Sequence, residues 1–436
     1  MIRLRHTLLL LLLLIPFAVH AQDATEVEQA QDIIQMLDAG QYAEVYALLD
    51  SSVQNVLSQE QLQGAWEQII AGVGVYESIA NVDSDPANHR VTLTLQFKNL
   101  QLNALIAFDA EGEVVGLQFV PVSTAPTLAA PTPIYAEPEA FTETDVTVGE
   151  FDLPGILTMP VGDGDFPAVV LISGSGPNDR DETIGPNKPF RDLAWGLAAQ
   201  GIATLRFDKR TLAAVDQLDL NNFTLKDEYT DDALAAVDLL RDTDGVDPER
   251  VFILGHSLGG YVAPRIAQAD ADIAGVIIAA GLALPLPETV LRQTRYLATL
   301  NPNSPQAQDA IPAVEALVEQ INALTPDSPS DEMLLAAPPA YWLDVQGYDP
   351  AALAAALPQP LLLLQGGRDY QVTEADDLAH WQAGLADHAD TTFKVYPDLN
   401  HLFVMGEGMS TPAEYNQPGN VAQDVIDDIA AWVKAH

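Results

Sequence analysis

A serine flanked by glycines is the first feature of this sequence that could do chemistry. Residues 251–260 read VFILGHSLGG, an apolar run followed by Ser257, with Gly255 and Gly259 two positions to either side. A nucleophilic serine on a tight turn between a strand and a helix needs small residues there, because the strained backbone passes close to its neighbours. A glycine-rich turn without chemistry would show the same letters. The chain must therefore also supply a base, a carboxylate and an oxyanion site.

A histidine and an aspartate follow two later apolar runs. A serine hydroxyl is a weak nucleophile and needs a neighbouring base. Of the eight histidines, His401 lies just after the last predicted strand, whereas the side chain of His256 is expected to point away from the turn. Asp369 follows the preceding buried run, where a carboxylate would fix the tautomer of the imidazole. The order Ser257, Asp369, His401 is a known order of a serine triad. The second candidate acid, Asp208, precedes the serine.

Backbone donors for an oxyanion are predicted on two segments. One donor is the amide of Leu258, the residue after the nucleophile. The other is the amide of Ser175 in residues 171–185, LISGSGPNDRDETIG, where Gly174 and Gly176 let the backbone approach a substrate. The glycine spacing does not fit a phosphate-binding loop. With all four parts present and in order, the serine is predicted to be a catalytic nucleophile.

The charged stretch that overlaps this loop, NDRDETIGPNKPFRD, is expected to fold locally. Ion pairs among Asp179, Arg180 and Asp181 would form one rigid wall of the pocket. Surface pairs of this kind contribute under about 1 kcal/mol each.

Apolar runs alternate with helical segments after residue 140. The predicted strands in this part are FPAVVLIS, GIATLRFD, RVFILGHS, AGVIIAAG, QPLLLLQGGRD and TTFKVYP. Runs this apolar are buried on both faces, as in a parallel sheet covered by helices. We therefore predict an α/β fold over residues 141–436, a mostly parallel sheet flanked by helices. Residues 282–350, rich in Pro, Ala and Leu at helical spacing, are predicted to be an inserted helical lid.

A different pattern precedes this part. Apolar residues recur at helical spacing from residue 26 to about residue 81, and three alternating strand patterns follow, HRVTLTLQFKN, LNALIAFDA and EVVGLQFVP. We predict a small α+β accessory domain over residues 22–120. Residues 121–140 contain five prolines and are predicted to be a semi-extended linker.

The N-terminus has the composition of a secretory signal. Arg3 and Arg5 precede an apolar run from Leu8 to Val19, and small residues before position 22 predict cleavage after Ala21. The run is short for a membrane span, which makes an uncleaved anchor the weaker interpretation. The protein is therefore expected to be secreted or periplasmic, with no stable membrane insertion after cleavage.

The composition excludes several classes of function. The chain has 62 acidic and 19 basic residues, a formal net charge of -43, so nucleic acid and anionic membranes are poor partners. It has no cysteine, which excludes disulfides, thiol nucleophiles and cysteine metal sites. A homo-oligomer is compatible with the sequence.

Residues 141–436 resemble the α/β-hydrolase superfamily through the motifs GHSLGG, GGRD and NHLF. Residues 172–210 further resemble the corresponding stretch of EstD-like bacterial carboxylesterases, which carry a domain ahead of the hydrolase fold. Residues 25–120 resemble the NTF2-like domain of unknown function found ahead of some secreted hydrolases. The resemblance implies hydrolysis of small-molecule carboxylic esters through an acyl-enzyme, without metal or organic cofactor. Ser173 departs from the H-G-x-G oxyanion motif of many esterases, which leaves the second oxyanion donor open.

Other functions remain as alternatives. A secreted aminopeptidase-like serine peptidase would use the same triad and would offer carboxylates to a substrate amine; the lid contains such residues, namely Glu288, Glu315, Glu319, Asp331 and Glu332. A thioesterase is less favoured, because acyl-CoA is cytoplasmic and polyanionic. A non-catalytic binding protein on a degenerate scaffold conflicts with an intact triad. Tyr341 and Trp342, with Leu334 and Leu335, either line an acyl pocket or belong to the core.

Overall fold

A computed structural model describes residues 19–85, 89–98, 100–109, 112–121, 130–302, 304–328, 333–335 and 337–436. Most of the predicted signal peptide, residues 1–18, lies outside the described residues. The chain divides into two compact units, Met1–Thr124 and Ala125–His436. The division falls within the proline-rich stretch that the sequence predicts as a linker.

The first unit is a group of helices followed by a four-stranded antiparallel sheet with the strand order β1-β2-β3-β4. Its elements are α1 (Val19–Asp38), α2 (Tyr42–Tyr46), α3 (Ser51–Val56), α4 (Gln59–Val73), β1 (Tyr76–Asp85), β2 (Arg90–Phe97), β3 (Gln101–Phe108) and β4 (Val114–Pro121). Strand β2 alternates buried and less buried side chains, and its buried face packs with Ile33 and Ile34 of α1 in one core. This alternation is why the strand could be predicted.

The helical spacing expected up to about residue 81 is wrong at its end. Helix α4 ends at Val73, and residues 76–85 form strand β1 instead. This strand lies at the edge of the sheet, and most of its side chains are exposed. An edge strand that buries so little lacks the alternation of apolar residues that marks a half-buried strand.

The second unit contains an eight-stranded sheet with the order β12-β11-β10-β9-β7-β8-β6-β5. The strands are β5 (Phe141–Val148), β6 (Leu153–Pro160), β7 (Phe166–Ile172), β8 (Ala203–Phe207), β9 (Val246–His256), β10 (Val276–Ala279), β11 (Leu361–Gly366) and β12 (Thr391–Tyr396). Strands β7 to β12 pair in parallel, whereas β5 and β6 are antiparallel. The predicted fold class, a mostly parallel sheet flanked by helices, is confirmed.

Helices cover both faces of this sheet. They are α5 (Pro189–Ala199), α6 (Arg210–Ala213), α7 (Asp231–Arg241), α8 (Leu258–Ala269), α9 (Leu286–Leu300), α10 (Pro305–Asn322), α11 (Pro339–Val345), α12 (Pro350–Ala354), α13 (Ala379–Gly384) and α14 (Gln423–Ala435). Val169 and Leu171 of β7 pack with α5 and α14, whereas Val170 packs with α7 and α8. Both faces of the strand are therefore buried, which explains its uninterrupted apolar sequence.

The segment between β10 and β11 contains the helices α9 to α12, at the position of the predicted lid. Further back in the chain, residues 130–140 do not extend away from the second unit. The hydroxyl of Tyr135 donates to the carbonyl of Val421 at 2.7 Å, and the amide of Ala130 donates to the carbonyl of Pro186 at 3.1 Å. Residues 130–140 of the proline-rich stretch are therefore packed on the sheet domain, whereas Pro121 is the last residue of β4.

Candidate active site

Ser257 lies on a strained turn between β9 and α8. Its φ of 55° is in the left-handed region, which costs a non-glycine residue free energy, and its ψ is −116°. A Cβ on Gly255 would lie 2.2 Å from the carbonyl oxygen of Gly259, and a Cβ on Gly259 would lie 2.3 Å from that of Ile172. The two glycines that flank the serine are thus required by close backbone contacts, as the spacing predicts.

Asp369 and His401 form a buried pair after strands β11 and β12. Nδ1 of His401 lies 2.6 Å from Oδ2 of Asp369, and both side chains are almost fully buried. The other carboxylate oxygen accepts hydrogen bonds from the amides of Gln371 and Val372, at 2.8 and 3.0 Å. Because a carboxylate accepts, Nδ1 donates, and Nε2 is left as the basic nitrogen.

The parallel strands β9, β10 and β11 are neighbours, which places Ser257 and this pair at the same edge of the sheet. Within the described residues, the hydroxyl of Ser257 forms no hydrogen bond with the imidazole of His401. Catalytic hydrogen bonds of this kind often tighten only when substrate binds. The backbone of His401 is fixed by a neighbour of the serine, since Nε2 of His256 donates to its carbonyl oxygen at 2.9 Å.

Gly174 brings the predicted oxyanion loop against the serine. A Cβ on this glycine would lie 3.0 Å from Cβ and 3.5 Å from Oγ of Ser257. The next residue, Ser175, is exposed and lines the cavity in front of the serine. Leu258 is the first residue of α8, where a backbone N–H has no partner within the helix. Both predicted oxyanion donors thus belong to segments that border Ser257.

Glu182 is a functional candidate that the sequence did not reveal. Only 2% of it is exposed, and its Oε1 accepts from the amide of Gly174 at 2.6 Å and lies 3.0 Å from Nδ1 of His256. Burial alone would lower the pKa of His256, but the Glu182 carboxylate and the His401 carbonyl outweigh burial and raise it. Since both ring nitrogens face acceptors, His256 and Glu182 form a buried ion pair. Glu182 stands among many acidic residues, and no spacing signal distinguishes it.

The charged stretch after the loop does not pair as expected. Arg180 binds Asp208 through two nitrogens, at 3.0 and 3.1 Å. Asp181 contacts Nε of Arg206 at 2.9 Å and Nζ of Lys188 at 2.8 Å. The expected ion pairs among Asp179, Arg180 and Asp181 are therefore wrong. The pair of Asp181 with Lys188 is local to the stretch, whereas the other partners come from strand β8 and the residue after it. Asp208 is engaged there and does not contact His401.

A largely apolar cavity of about 530 Å³ opens in front of Ser257. Tyr341, Trp342 and Leu335 line it, whereas Leu334 is buried and gives its carbonyl to the indole N–H of Trp342. Its further lining residues include Val215, Leu220, Phe223, Leu282, Leu286, Val290, Met333 and Pro338. The cavity has the size and polarity of a pocket for a small organic molecule.

Of the named lid carboxylates, the three that the structure describes do not line this cavity. Glu288 accepts from the amide nitrogen of Asn322 at 3.4 Å, Glu315 pairs with Arg295 at 2.6 Å, and Glu319 is exposed. The other two named acids, Asp331 and Glu332, lie outside the described residues.

One cluster of carboxylates could hold a cation. Asp50, Asp109 and Glu113 offer oxygens that lie within 4.8 Å of one another in the first unit. Exposed acidic groups are commonly close together without an ion, and the amide of Glu113 already donates to Asp109 at 2.7 Å.

Two family models match the chain. The model of the alpha/beta hydrolase family matches residues 169–417, and that of a family of proteins of unknown function, DUF3887, matches residues 30–117. The chain is 39% identical to esterase EstD of Thermotoga maritima over 409 residues, which cover 93% of this chain and 95% of that protein.

Solved structures with a weaker likeness include Est1E from Butyrivibrio proteoclasticus, at 15% identity and a TM-score of 0.44 over 67% of this chain and 99% of that one. Another is the esterase domain of a Rhodothermus marinus protein, at 16% identity and a TM-score of 0.40 over 68% of this chain and 98% of that one. At these scores the two structures add no weight to the family assignment. None of the helices in the described part of the chain is both long and apolar enough to span a membrane.

Proposed function

Since the chain belongs to the alpha/beta hydrolase family, we propose that it is a carboxylesterase that hydrolyses small-molecule esters through an acyl-enzyme on Ser257. The observation that carries the site assignment is the buried Asp369–His401 pair, 2.6 Å apart, at the sheet edge where Ser257 occupies its strained turn. The apolar cavity at this edge provides room for the acyl or alcohol part of an ester.

In the first half of the reaction, Nε2 of His401 removes the proton from Ser257 while Oγ attacks the carbonyl carbon of the ester. The carbonyl π electrons move to oxygen, and the tetrahedral intermediate carries a negative charge. Asp369 keeps the imidazole in the correct tautomer and stabilises the imidazolium that forms. Collapse of the intermediate breaks the bond to the leaving alkoxide, which takes the proton from His401 and departs as the alcohol.

In the second half, water takes the place of the alcohol. His401 removes a proton from the water as it attacks the acyl-enzyme. The second tetrahedral intermediate then collapses to the carboxylic acid as the bond between the acyl carbon and Oγ breaks, and His401 returns the proton to Oγ of Ser257. We assign the oxyanion of both intermediates to the amides of Leu258 and Ser175, which border the serine. Such donors act on charge that exists only in the intermediate and its flanking transition states, so they raise the turnover number rather than the affinity for the ester.

The polar groups of the cavity favour an ester over a peptide with a free amino terminus. Glu228 lines the cavity, but its two oxygens already accept from Nζ of Lys209 at 2.5 Å and from the hydroxyl of Tyr341 at 2.8 Å. Of the five named lid carboxylates, the three that the structure describes are not among the residues that line the cavity. The described part of the lining therefore has no unpaired anion for a substrate ammonium group.

Hydrolysis of p-nitrophenyl esters with acyl chains of two to sixteen carbons tests the proposal, with Ser257→Ala as the matched variant. We expect ester hydrolysis that falls by about 10⁶-fold in the variant, because the nucleophile is lost while the fold is kept. Circular dichroism verifies the fold of both proteins. Inactivity of the folded wild type on every ester, together with cleavage of aminoacyl arylamides, would replace the esterase by the peptidase.

We further propose that the protein is exported and that its first unit is an NTF2-like accessory domain. The support for export is the basic start, the apolar run and the small residues before position 22. Helices followed by an antiparallel sheet are the support for the accessory domain, together with the match of residues 30–117 to a family of unknown function. N-terminal sequencing of the secreted protein tests the cleavage site after Ala21.

A further inference from the structure

The peptide group that joins Gly174 to Ser175 is held by an unusual number of donors. Its carbonyl oxygen accepts from the hydroxyl of Tyr229 at 2.7 Å, from Nζ of Lys209 at 3.0 Å and from the side-chain amide of Asn178 at 3.0 Å. Most carbonyl groups accept one or two hydrogen bonds, in line with their two lone pairs. One of these three donors is an ammonium group with only 3% of its residue exposed.

The position of that carbonyl oxygen fixes the direction of the amide in the same group. The described residues contain no cis peptide bond, and in a planar trans peptide the N–H points opposite to the C=O. The carbonyl of Gly174 points at buried Lys209 and Tyr229, so the amide of Ser175 points away from them. Within the described part of the chain this amide donates to no other group, and Ser175 lines the cavity beside Ser257.

Lys209 and Tyr229 are themselves held rigidly. Nζ of Lys209 contacts Oε1 of Glu228 at 2.5 Å and the hydroxyl of Tyr229 at 2.8 Å, in addition to the carbonyl of Gly174. Its three protons are therefore all used. A buried ammonium is costly to desolvate, and burial lowers the pKa of Lys209, an effect that the Glu228 carboxylate opposes. Lys209 and Tyr229, which are costly to bury, thus both donate hydrogen bonds to one peptide group of the oxyanion loop.

We propose that Lys209 and Tyr229 are positioning residues for the second oxyanion donor: they hold and polarise the Gly174–Ser175 peptide so that the amide of Ser175 donates to the oxyanion. Hydrogen bonds to a carbonyl oxygen draw electron density from the peptide nitrogen and make its N–H a stronger donor. The inference rests on the proposed esterase function. Glu228 neutralises Lys209, and Tyr341 of α11 connects this network to the lid through its hydrogen bond to Glu228.

Tyr229→Phe tests the proposal because it removes one donor and leaves the ring in place. Tyr396→Phe is the matched control. The partly buried hydroxyl of Tyr396 donates to Asp428, and its side chain belongs to a different hydrophobic cluster from that of Tyr229. For each protein, kcat and KM are measured on a p-nitrophenyl ester. The affinity for a trifluoromethyl ketone is measured as well, because its adduct with Ser257 carries an oxyanion.

We expect Tyr229→Phe to lower kcat about tenfold and to weaken ketone binding by the same factor at an unchanged KM, because removing a whole oxyanion donor costs 10²- to 10³-fold. The control variant should leave all three values unchanged. Acyl transfer and the ketone adduct share the oxyanion and its donors, whereas binding of the neutral ester does not involve this charge. A purely structural role of Tyr229 would therefore change KM as well.

The double variant Lys209→Met with Glu228→Gln removes the ammonium without leaving a buried carboxylate unpaired. This double variant should lower kcat and ketone affinity by about 10²-fold. If Tyr229→Phe does not fold, the double variant alone tests the positioning role. Unchanged ketone affinity in the folded variants, whatever their kcat, would overturn the positioning role while the wild type remains an esterase. A wild type without any ester hydrolysis would instead overturn the proposed function.

Discussion

The proposed base and the proposed oxyanion loop differ in how far along the chain their supports lie. On the side of the base, Asp369 is held by the amides of Gln371 and Val372, two and three residues away. The loop of His401 is held in the same way, because the side chain of Asn400 accepts from amides two and four residues further on.

The oxyanion loop has one local donor, the side-chain amide of Asn178, and takes its other supports from more distant segments. Lys209 and Tyr229 are 35 and 55 residues away from the carbonyl of Gly174 that they bind. One link joins the two sides: Glu182 binds the amide of Gly174 and the ring of His256, whose other nitrogen binds the carbonyl of His401 145 residues away. Apart from this link, the side chains of Asp369 and Asn400 are held by local turns, whereas two of the three donors to the Gly174 carbonyl come from distant segments.

The largest effect should come from the base side. Asp369→Asn should lower kcat by about 10⁴-fold, because the amide no longer holds Nδ1 of His401 as a donor. Stability should change little, since the asparagine oxygen can still accept from the two local amides. Asp208→Asn is the control, because this carboxylate binds Arg180 instead. Equal losses in the two variants would show that Asp369 is not the triad acid.

Removing Glu182, which links the oxyanion loop to the loop of His401 through His256, should have an intermediate effect on activity. Glu182→Ala leaves the amide of Gly174 and the imidazolium of His256 without their partner, which should destabilise the fold by about 3 kcal/mol. A shift of the loop by about 1 Å would lower kcat/KM by about 10²-fold. Urea unfolding and ester kinetics measure both effects. A variant with wild-type kinetics would show that the oxyanion loop keeps its position without this link.

The smallest effect should come from removing only the charge of Glu182, and it concerns the free energy of unfolding. The pKa of His256 is raised above its ordinary value of 6.5, so the ion pair with Glu182 stabilises the folded state fully below that value. This stabilisation is lost as pH rises through the folded pKa. Glu182→Gln keeps hydrogen-bonding atoms in place but removes the charge, while the nearby charge of Asp369 is common to both proteins.

We therefore expect the free energy of unfolding of the wild type to exceed that of Glu182→Gln most below about pH 6.5, and this difference to decrease as pH rises above that value. Urea unfolding of both proteins over this range measures the difference, in which the other titrating groups cancel. A difference that is constant or increases with pH would show that His256 is neutral in the folded protein. In that case Glu182 and His256 are joined by a hydrogen bond and do not form an ion pair.

The sequence by itself determined the fold class and placed the three triad candidates at strand ends. These features depend on patterns over a few residues: apolar runs for strands buried on both faces, and glycines two positions either side of Ser257 where backbones nearly touch. The weakest prediction was at β1, where an exposed edge strand has no such pattern.

Only the tertiary structure decided which charged residues meet. The chain has 62 acidic residues, and nothing in their spacing distinguishes Glu182 or Glu228 from the others. Their partners His256 and Lys209 are 74 and 19 residues away, and Arg180 and Asp181 likewise bind residues that are 28 and 25 positions away. Contacts between segments that are far apart in the chain leave no periodic pattern, because they form only when the sheet brings the ends of β7, β8 and β9 together.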